Sequence, residues 1–344
     1  MDGRVEAPCL GAQGAPRNLL IDAEVGHTME ARLAGALRAI RAGGGWPPSL
    51  EADLEERLMS RANHVVVVPL GPTIGAVVSG VDLRDDHADA VIDDIRAALL
   101  GHKVLFFEDQ DLSPEQQRNF ALRFGALHTH PLYPGEGAAP EIMILDNHQE
   151  NPTDNDHWHT DVTFLERPAM GAILHARVLP PSGGDTLWAS MTAAWQALSP
   201  SMRAFIETLS AVHDLTHAFA ADGVVASAAG RERYEKARAE NPPVIHPVAR
   251  THPETGETAL FVNSAFTSRI KGLRREESRA LLDFLFRHVQ KPEFAVRWRW
   301  REGSVAFWDN RCTQHYAVND YLPNRRVMTR ATIFGDKPYF EKAA

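Results

Sequence analysis

The chain has 344 residues, of which 44% are hydrophobic and 24% charged, the composition of a globular protein with enough apolar material for a large core. A net charge of −9 excludes a general binder of nucleic acid or of anionic membrane, yet leaves room for a pocket in which local arginines hold a small anion. Cys9 and Cys312 are too few for a disulfide framework, and no apolar run reaches the length of a membrane span, so a cytoplasmic protein is expected.

Residues 1–60 are rich in Gly, Ala and Pro near their start. A helix over 29–42 would place Leu33, Leu37 and Ile40 on one stripe before Gly43-Gly44-Gly45-Trp46-Pro47-Pro48 breaks it, and a short helix would follow over 50–58. Arginines and acids are mixed through the segment, unlike a secretory leader. A poorly ordered N-terminal extension over 1–60 and one folded domain over 61–344 are expected.

Beyond residue 60 short apolar runs alternate with helical patterns. Residues 65–68 and 103–107 read as buried strands, with a helix over 85–101 between them. Ser113-Pro114-Glu115-Gln116 is a capping box with proline at the first helical position, predicting a helix that runs to Phe124 and stops at Gly125. A strand is expected over 142–145. In 172–178, Ala172, Leu174, Ala176 and Val178 share one face while His175 and Arg177 share the other, making His175 a surface or second-layer residue. Helices are expected over 192–209 and 276–290. Phe294, Val296, Trp298 and Trp300 alternate with Ala295, Arg297 and Arg299 as a half-buried strand, and strands over 305–308 and 326–334 complete the set. The pattern predicts a mainly β protein with inserted helices, a double-sheet jelly roll.

The chemistry centres on Asp156-His157-Trp158-His159-Thr160-Asp161-Val162-Thr163-Phe164. An extended chain would turn His157, His159 and Asp161 to one face. Two imidazoles and one carboxylate form the facial triad of non-haem Fe(II), which leaves open positions for other ligands. His315, in Trp308-Asp309-Asn310-Arg311-Cys312-Thr313-Gln314-His315, is the candidate distant ligand. Spacing alone leaves His157-x-His159 as a rival chelating pair, and it also permits zinc hydrolysis. His64, His87, His148, His213, His217, His246, His252 and His288 are scattered without consistent spacing and read as satisfied polar residues, and Cys312 reads as buried and free. On the last strand Arg326, Met328, Arg330 and Thr332 share one face. Pattern alone slightly favours those arginines in water, whereas a jelly roll can bury both faces, and two inward guanidinium groups would then each require an anion. Gly183-Gly184-Asp185-Thr186 after Pro180-Pro181 would by itself be an ordinary turn.

Taken together, the H-x-D triplet, Thr186, His315 and Arg326 resemble the taurine dioxygenase (TauD/TfdA) family of Fe(II)- and 2-oxoglutarate-dependent oxygenases, nearly continuously from Pro69 to Tyr339. The resemblance implies a double-stranded β-helix, a cupin-like jelly roll. It selects His159, Asp161 and His315 as the iron ligands, with His157 outside the set. It assigns Arg326 and Thr186 to the far carboxylate of 2-oxoglutarate, with O2 as the other co-substrate. Arg330 matches the position that binds a substrate sulfonate, and His130, Tyr133, Asn155, Val162, Phe219 and Phe266 match the substrate pocket, with His128 left as structural. Ala218 stands where a serine is expected, which removes a minor polar contact. The implied reaction hydroxylates taurine at the carbon bearing the sulfonate, giving sulfite, aminoacetaldehyde, succinate and CO2; another alkylsulfonate, an alkyl sulfate or an aryloxyalkanoate is the alternative substrate. A zinc hydrolase would leave Arg326 and Thr186 without a role. A homo-oligomer is a weaker expectation of the same resemblance.

Overall fold

A computed structural model describes residues 64–129, 135, 139–151, 155–218 and 228–342. The extension expected over 1–60, with its two helices, lies outside the described residues.

In chain order the elements begin with β1 (Val66–Pro69), β2 (Ala76–Ser79), α1 (Asp89–His102), β3 (Val104–Phe107), α2 (Pro114–Leu122), β4 (Leu127–His128) and β5 (Ile142–Asn147). The middle of the chain forms β6 (Ala169–Val178), β7 (Thr186–Ser190), α3 (Met191–Gln196), α4 (Pro200–Ile206), β8 (Ser210–His213), α5 (Leu215–Ala218) and α6 (Ala228–Glu240). There follow β9 (Val244–Pro247), β10 (Ala249–Thr251), β11 (Thr258–Leu260), β12 (Thr267–Ile270), α7 (Arg275–His288), β13 (Ala295–Trp298), β14 (Val305–Asp309), β15 (Thr313–Ala317) and β16 (Arg326–Phe334).

The major sheet runs β1-β2-β3-β14-β6-β16-β4, with β5 also paired to β16. The minor sheet runs β13-β7-β15. Strand periodicity sorts the side chains into layers. Val104 and Phe106, Ala172 and Leu174, Ala306 and Trp308, and Met328 point between the sheets, where they meet Trp188 of the minor sheet. Leu105, Phe107, Ile173, Phe307, Ala331 and Ile333 point outward and pack against Ile95 and Leu99 of α1 and Phe120 of α2. Ala189 of the minor sheet faces away from that interior, into a third cluster with Ala194 of α3 and Leu282 and Leu285 of α7. Both faces of the central strands are therefore buried, and the described residues form a double-stranded β-helix with helices packed on it.

Local signals hold where they are strong. Ser113 caps α2 as expected: its hydroxyl accepts from the Gln116 N–H at 3.2 Å, and the Gln116 side chain accepts from the Ser113 N–H at 2.8 Å. His175 is a second-layer residue, 1% exposed, with Nε2 at 2.8 Å from the Gln110 carbonyl.

Four expectations change. The helix expected over 192–209 is two, α3 and α4, because Pro200 starts a new helix whose cap is Ser199. Strand β1 lies at the sheet edge, so Val66 and Val68 are about half exposed rather than buried. The strand expected over 294–300 spans only Ala295–Trp298, with Phe294 ending a 3-10 turn and Trp300 buried beyond the strand. The segment 156–164 is not a strand: only His159 makes a bridge, to His315, and the chain turns directly after Asp161.

Candidate metal and co-substrate site

His159 and His315 are joined by paired backbone bonds, His159 N–H to the His315 carbonyl at 3.0 Å and the reverse at 2.8 Å. His315 is carried by β15, opposite Trp188 of β7, so its ring faces the interior. After Asp161 the chain reverses through Val162, a β-branched residue at φ 47°, which turns the carboxylate back toward the two imidazoles. Asp161 Oδ1 lies 4.0 Å from His159 Nε2 and 3.8 Å from His315 Nε2, and all three residues are buried. The expected triad is thus brought together within one ion's reach, by a turn and a bridge rather than by a shared strand face.

The protonation of the site suits a cation. His159 Nδ1 lies 2.8 Å from the His157 carbonyl, to which it donates, so Nε2 keeps its lone pair toward the centre. Burial pushes His159 well below the ordinary histidine range and lowers His315 to about 4, so both rings are neutral near pH 7. Burial alone would raise the Asp161 carboxyl, but the Arg330 guanidinium, helped by the hydrogen bond from the Asn310 amide, outweighs it and holds the group ionised, well below the usual carboxylate range. His157 supplies a carbonyl to this arrangement, and its ring is half-buried at 5.1 Å from that of His159.

Arg326 and Arg330 both point into the barrel from β16 and are 4% and 8% exposed, which goes against the slight preference of pattern alone for water. Arg330 Nη1 donates to Asp161 Oδ1 at 2.8 Å, while its Nε meets no partner among the described residues. Among the described residues no carboxylate pairs with Arg326: Nε and Nη2 are buried without a partner there, and the guanidinium lies 5.9 Å from the Trp300 ring and 6.0 Å from the Tyr321 ring. Burial lowers it to about 10, so it remains a cation near pH 7. Thr186, 2% exposed, projects from β7 and accepts from Trp300 Nε1 at 3.0 Å, leaving its own hydroxyl proton to donate. A buried guanidinium with unanswered donors is costly alone and fits a planar carboxylate. The residues present therefore fit both a divalent cation and a dianionic co-substrate.

Sequence reasoning underrated Gly183-Gly184. Gly184 sits at φ +72°, and a Cβ there would come within 3.1 Å of Arg326 Cδ and 3.3 Å of Tyr321 Cδ1, so its bareness is what lets the arginine lie against the loop. It also missed Asn310, whose side chain bonds Asp161; the residue had been read only as part of the approach to His315.

Of the expected pocket residues, Val162 and Phe266 are buried in one apolar cluster with Phe164 and Leu215, and Asn155 is half-buried with its carbonyl accepting from Ala317 N–H at 3.1 Å. His130, Tyr133 and Phe219 lie outside the described residues. His128 sits opposite Thr332, packs edge-on to Phe334, and is lowered to about 4 by burial and then by Arg330.

A second buried group, His252, Asp309 and Cys312, has metal-like proximity but is internally satisfied. His252 Nδ1 accepts from the Glu254 and Thr255 N–H groups at 3.2 and 3.1 Å, so Nε2 carries the proton that it donates to Asp309 at 3.0 Å. Arg311 takes both oxygens of the same carboxylate. This is a structural network.

The family described as taurine catabolism dioxygenase TauD, TfdA family matches residues 67–332. An alpha-ketoglutarate-dependent sulfate ester dioxygenase of Pseudomonas putida is 40% identical over 274 residues, 79% of this chain and 90% of its own length. A crystal structure of a taurine dioxygenase from Burkholderia xenovorans superposes with a TM-score of 0.68 at 38% identity, covering 80% of this chain and 90% of that one. A crystal structure of AAD-2 in complex with Mn(II) and N-oxalylglycine matches with a TM-score of 0.67 at 30% identity, covering 80% of this chain and 98% of that one.

Proposed function

We propose, since the chain belongs to the TauD, TfdA family of alpha-ketoglutarate-dependent dioxygenases, that it hydroxylates a small sulfur-oxyanion substrate at the carbon next to the anionic group, with taurine as the leading substrate. The observation that carries this reading is the pair of inward arginines on β16, Arg326 with Nε and Nη2 unpartnered among the described residues and Arg330 beside the triad.

His159, Asp161 and His315 would hold Fe(II), and Arg326 with Thr186 would hold the far carboxylate of 2-oxoglutarate. Bound there, iron supplies the O2 chemistry that converts 2-oxoglutarate to succinate and CO2 while a substrate C–H becomes C–OH. The rest falls to this chain's side chains. Arg330 grips the sulfonate and so aims the adjacent carbon at the triad. By the family resemblance, His130 would add a donor to the sulfonate, Asn155 and Tyr133 would meet the substrate's amino end, and Val162, Phe219 and Phe266 would form the apolar wall that excludes water. With taurine, the hydroxylated carbon forms a C=O as its C–S bond breaks, giving aminoacetaldehyde and sulfite, and the hydroxyl proton passes to water.

A second reading is a sulfate ester substrate. The 40% identity to a sulfate ester dioxygenase supports it. The test mixes protein, Fe(II), ascorbate and 2-oxoglutarate without oxygen, adds taurine, a short alkyl sulfate or an aryloxyacetate, and then admits air. Sulfite with succinate supports taurine, and sulfate with succinate supports the ester. Phenol release from the aryloxyacetate alone would sink the sulfur assignment.

A further inference from the structure

Asn310 is 1% exposed and sits in the turn from β14 of the major sheet to β15 of the minor sheet. That turn is held on all sides. Asn310 N–H donates to the Met170 carbonyl at 2.8 Å, and the Thr313 hydroxyl donates to the Asp309 carbonyl at 2.7 Å. The Asp309 carboxylate is fixed by His252 at 3.0 Å and by Arg311 at 2.9 and 2.6 Å. The buried cluster that resembles a second metal site thus anchors the turn.

Within this frame the Asn310 amide has one orientation. Trp308 Nε1 can only donate, and it points at Asn310 Oδ1 from 3.0 Å; the Asp161 N–H points at the same oxygen from 3.3 Å. Nδ2 is left to donate to Asp161 Oδ2 at 3.1 Å. The other carboxylate oxygen, Oδ1, faces both imidazoles and also accepts from Arg330.

We propose that Asn310 is a positioning residue that occupies Oδ2 of Asp161, so that the carboxylate offers a metal only Oδ1. A carboxylate can ligate through one oxygen or two, and the second oxygen would take a position that a chelating 2-oxo acid needs. The amide donor makes that second bond compete with a buried hydrogen bond, and the indole N–H prevents the amide from turning away. The proposal rests on the triad being the metal site and is independent of which sulfur compound is the substrate.

The test uses the full chain without oxygen or sulfur substrate, loaded with Co(II), comparing wild type with Asn310→Ala and Trp308→Phe. The phenylalanine keeps a ring against His315 but frees the amide. Expected for Asn310→Ala are an altered Co(II) absorption spectrum and roughly 10- to 100-fold weaker Co(II)-dependent binding of 2-oxoglutarate by calorimetry. Trp308→Phe should move both readouts the same way by less, and it serves alone if Asn310→Ala does not fold. A folded variant with the wild-type spectrum and 2-oxoglutarate affinity overturns the proposal, whatever its melting temperature. A wild-type chain that takes up no Co(II) overturns the metal reading, and the proposal with it.

Discussion

Arg326 is the residue whose energetics are hardest to explain without a ligand. The residue is 4% exposed, its Nε and Nη2 have no hydrogen-bond partner among the described residues, its guanidinium lies near the Trp300 and Tyr321 rings, and burial lowers it to about 10. An uncompensated buried cation destabilises the chain that holds it. Arg326→Met should therefore leave the ligand-free protein at least as stable as wild type, while 2-oxoglutarate binding weakens by about 2 kcal/mol or more, roughly 30-fold. Thermal melting of the ligand-free proteins and calorimetry with Mn(II) present measure the two effects separately. A variant that melts well below wild type would mean that Arg326 already has a stabilising partner, and the anion-receptor reading would fail. Arg330 differs, because Asp161 already answers one of its donors at 2.8 Å. Its loss strands a buried carboxylate as well as any substrate anion.

At the scale of elements, the site is a meeting of the two sheets, with β16 from the major sheet and β7 and β15 from the minor one. Strand β16 contributes both arginines from its inner face, and β7 contributes Thr186 directly after the double-glycine loop. Gly184→Ala would add a methyl at φ +72°, within 3.1 Å of Arg326 Cδ. A left-handed conformation costs an alanine about 1–2 kcal/mol, and the methyl also displaces the arginine. The expected result is 2-oxoglutarate affinity reduced by about tenfold with Mn(II) affinity unchanged; equal loss of both would show that the loop supports the whole site rather than one carboxylate. Period-two alternation in 326–334 made the arginine face legible because a strand encodes its faces locally. The turn after Asp161 was not legible, since it depends on the bridge from His159 to His315 and on Asn310, which lies 149 residues beyond Asp161 in sequence. Ser199-Pro200 did carry a local signal for a helix start, but the apolar periodicity on either side obscured it.

Across the whole molecule, the layered architecture buries polar groups that composition alone would place outside, and it thereby makes stability depend on pH. His175 lies under the major sheet and His246 beneath the loop that follows the triad, 1% and 2% exposed. The His175 Nε2 is 2.8 Å from the Gln110 carbonyl, and the His246 Nε2 is 3.0 Å from the Thr163 and Leu165 carbonyls. Burial lowers both rings from 6.5 to about 4, against which these carbonyl bonds act only in part. Between those values the unfolded chain binds the protons and the folded chain does not, so acid favours unfolding. The stabilisation from these neutral rings is complete above pH 6.5 and is lost as pH falls toward 4. Each contributes a slope of up to about 1.4 kcal/mol per pH unit, below which the depressed carboxylates take over. Urea unfolding at intervals from pH 7 to pH 4.5 should therefore show stability falling steadily with acid, and His175→Gln, which retains a donor for Gln110 but does not titrate, should flatten the curve. Equal stability at both ends of that range in the wild-type chain would mean that these imidazoles take up protons while folded, in contradiction to their burial.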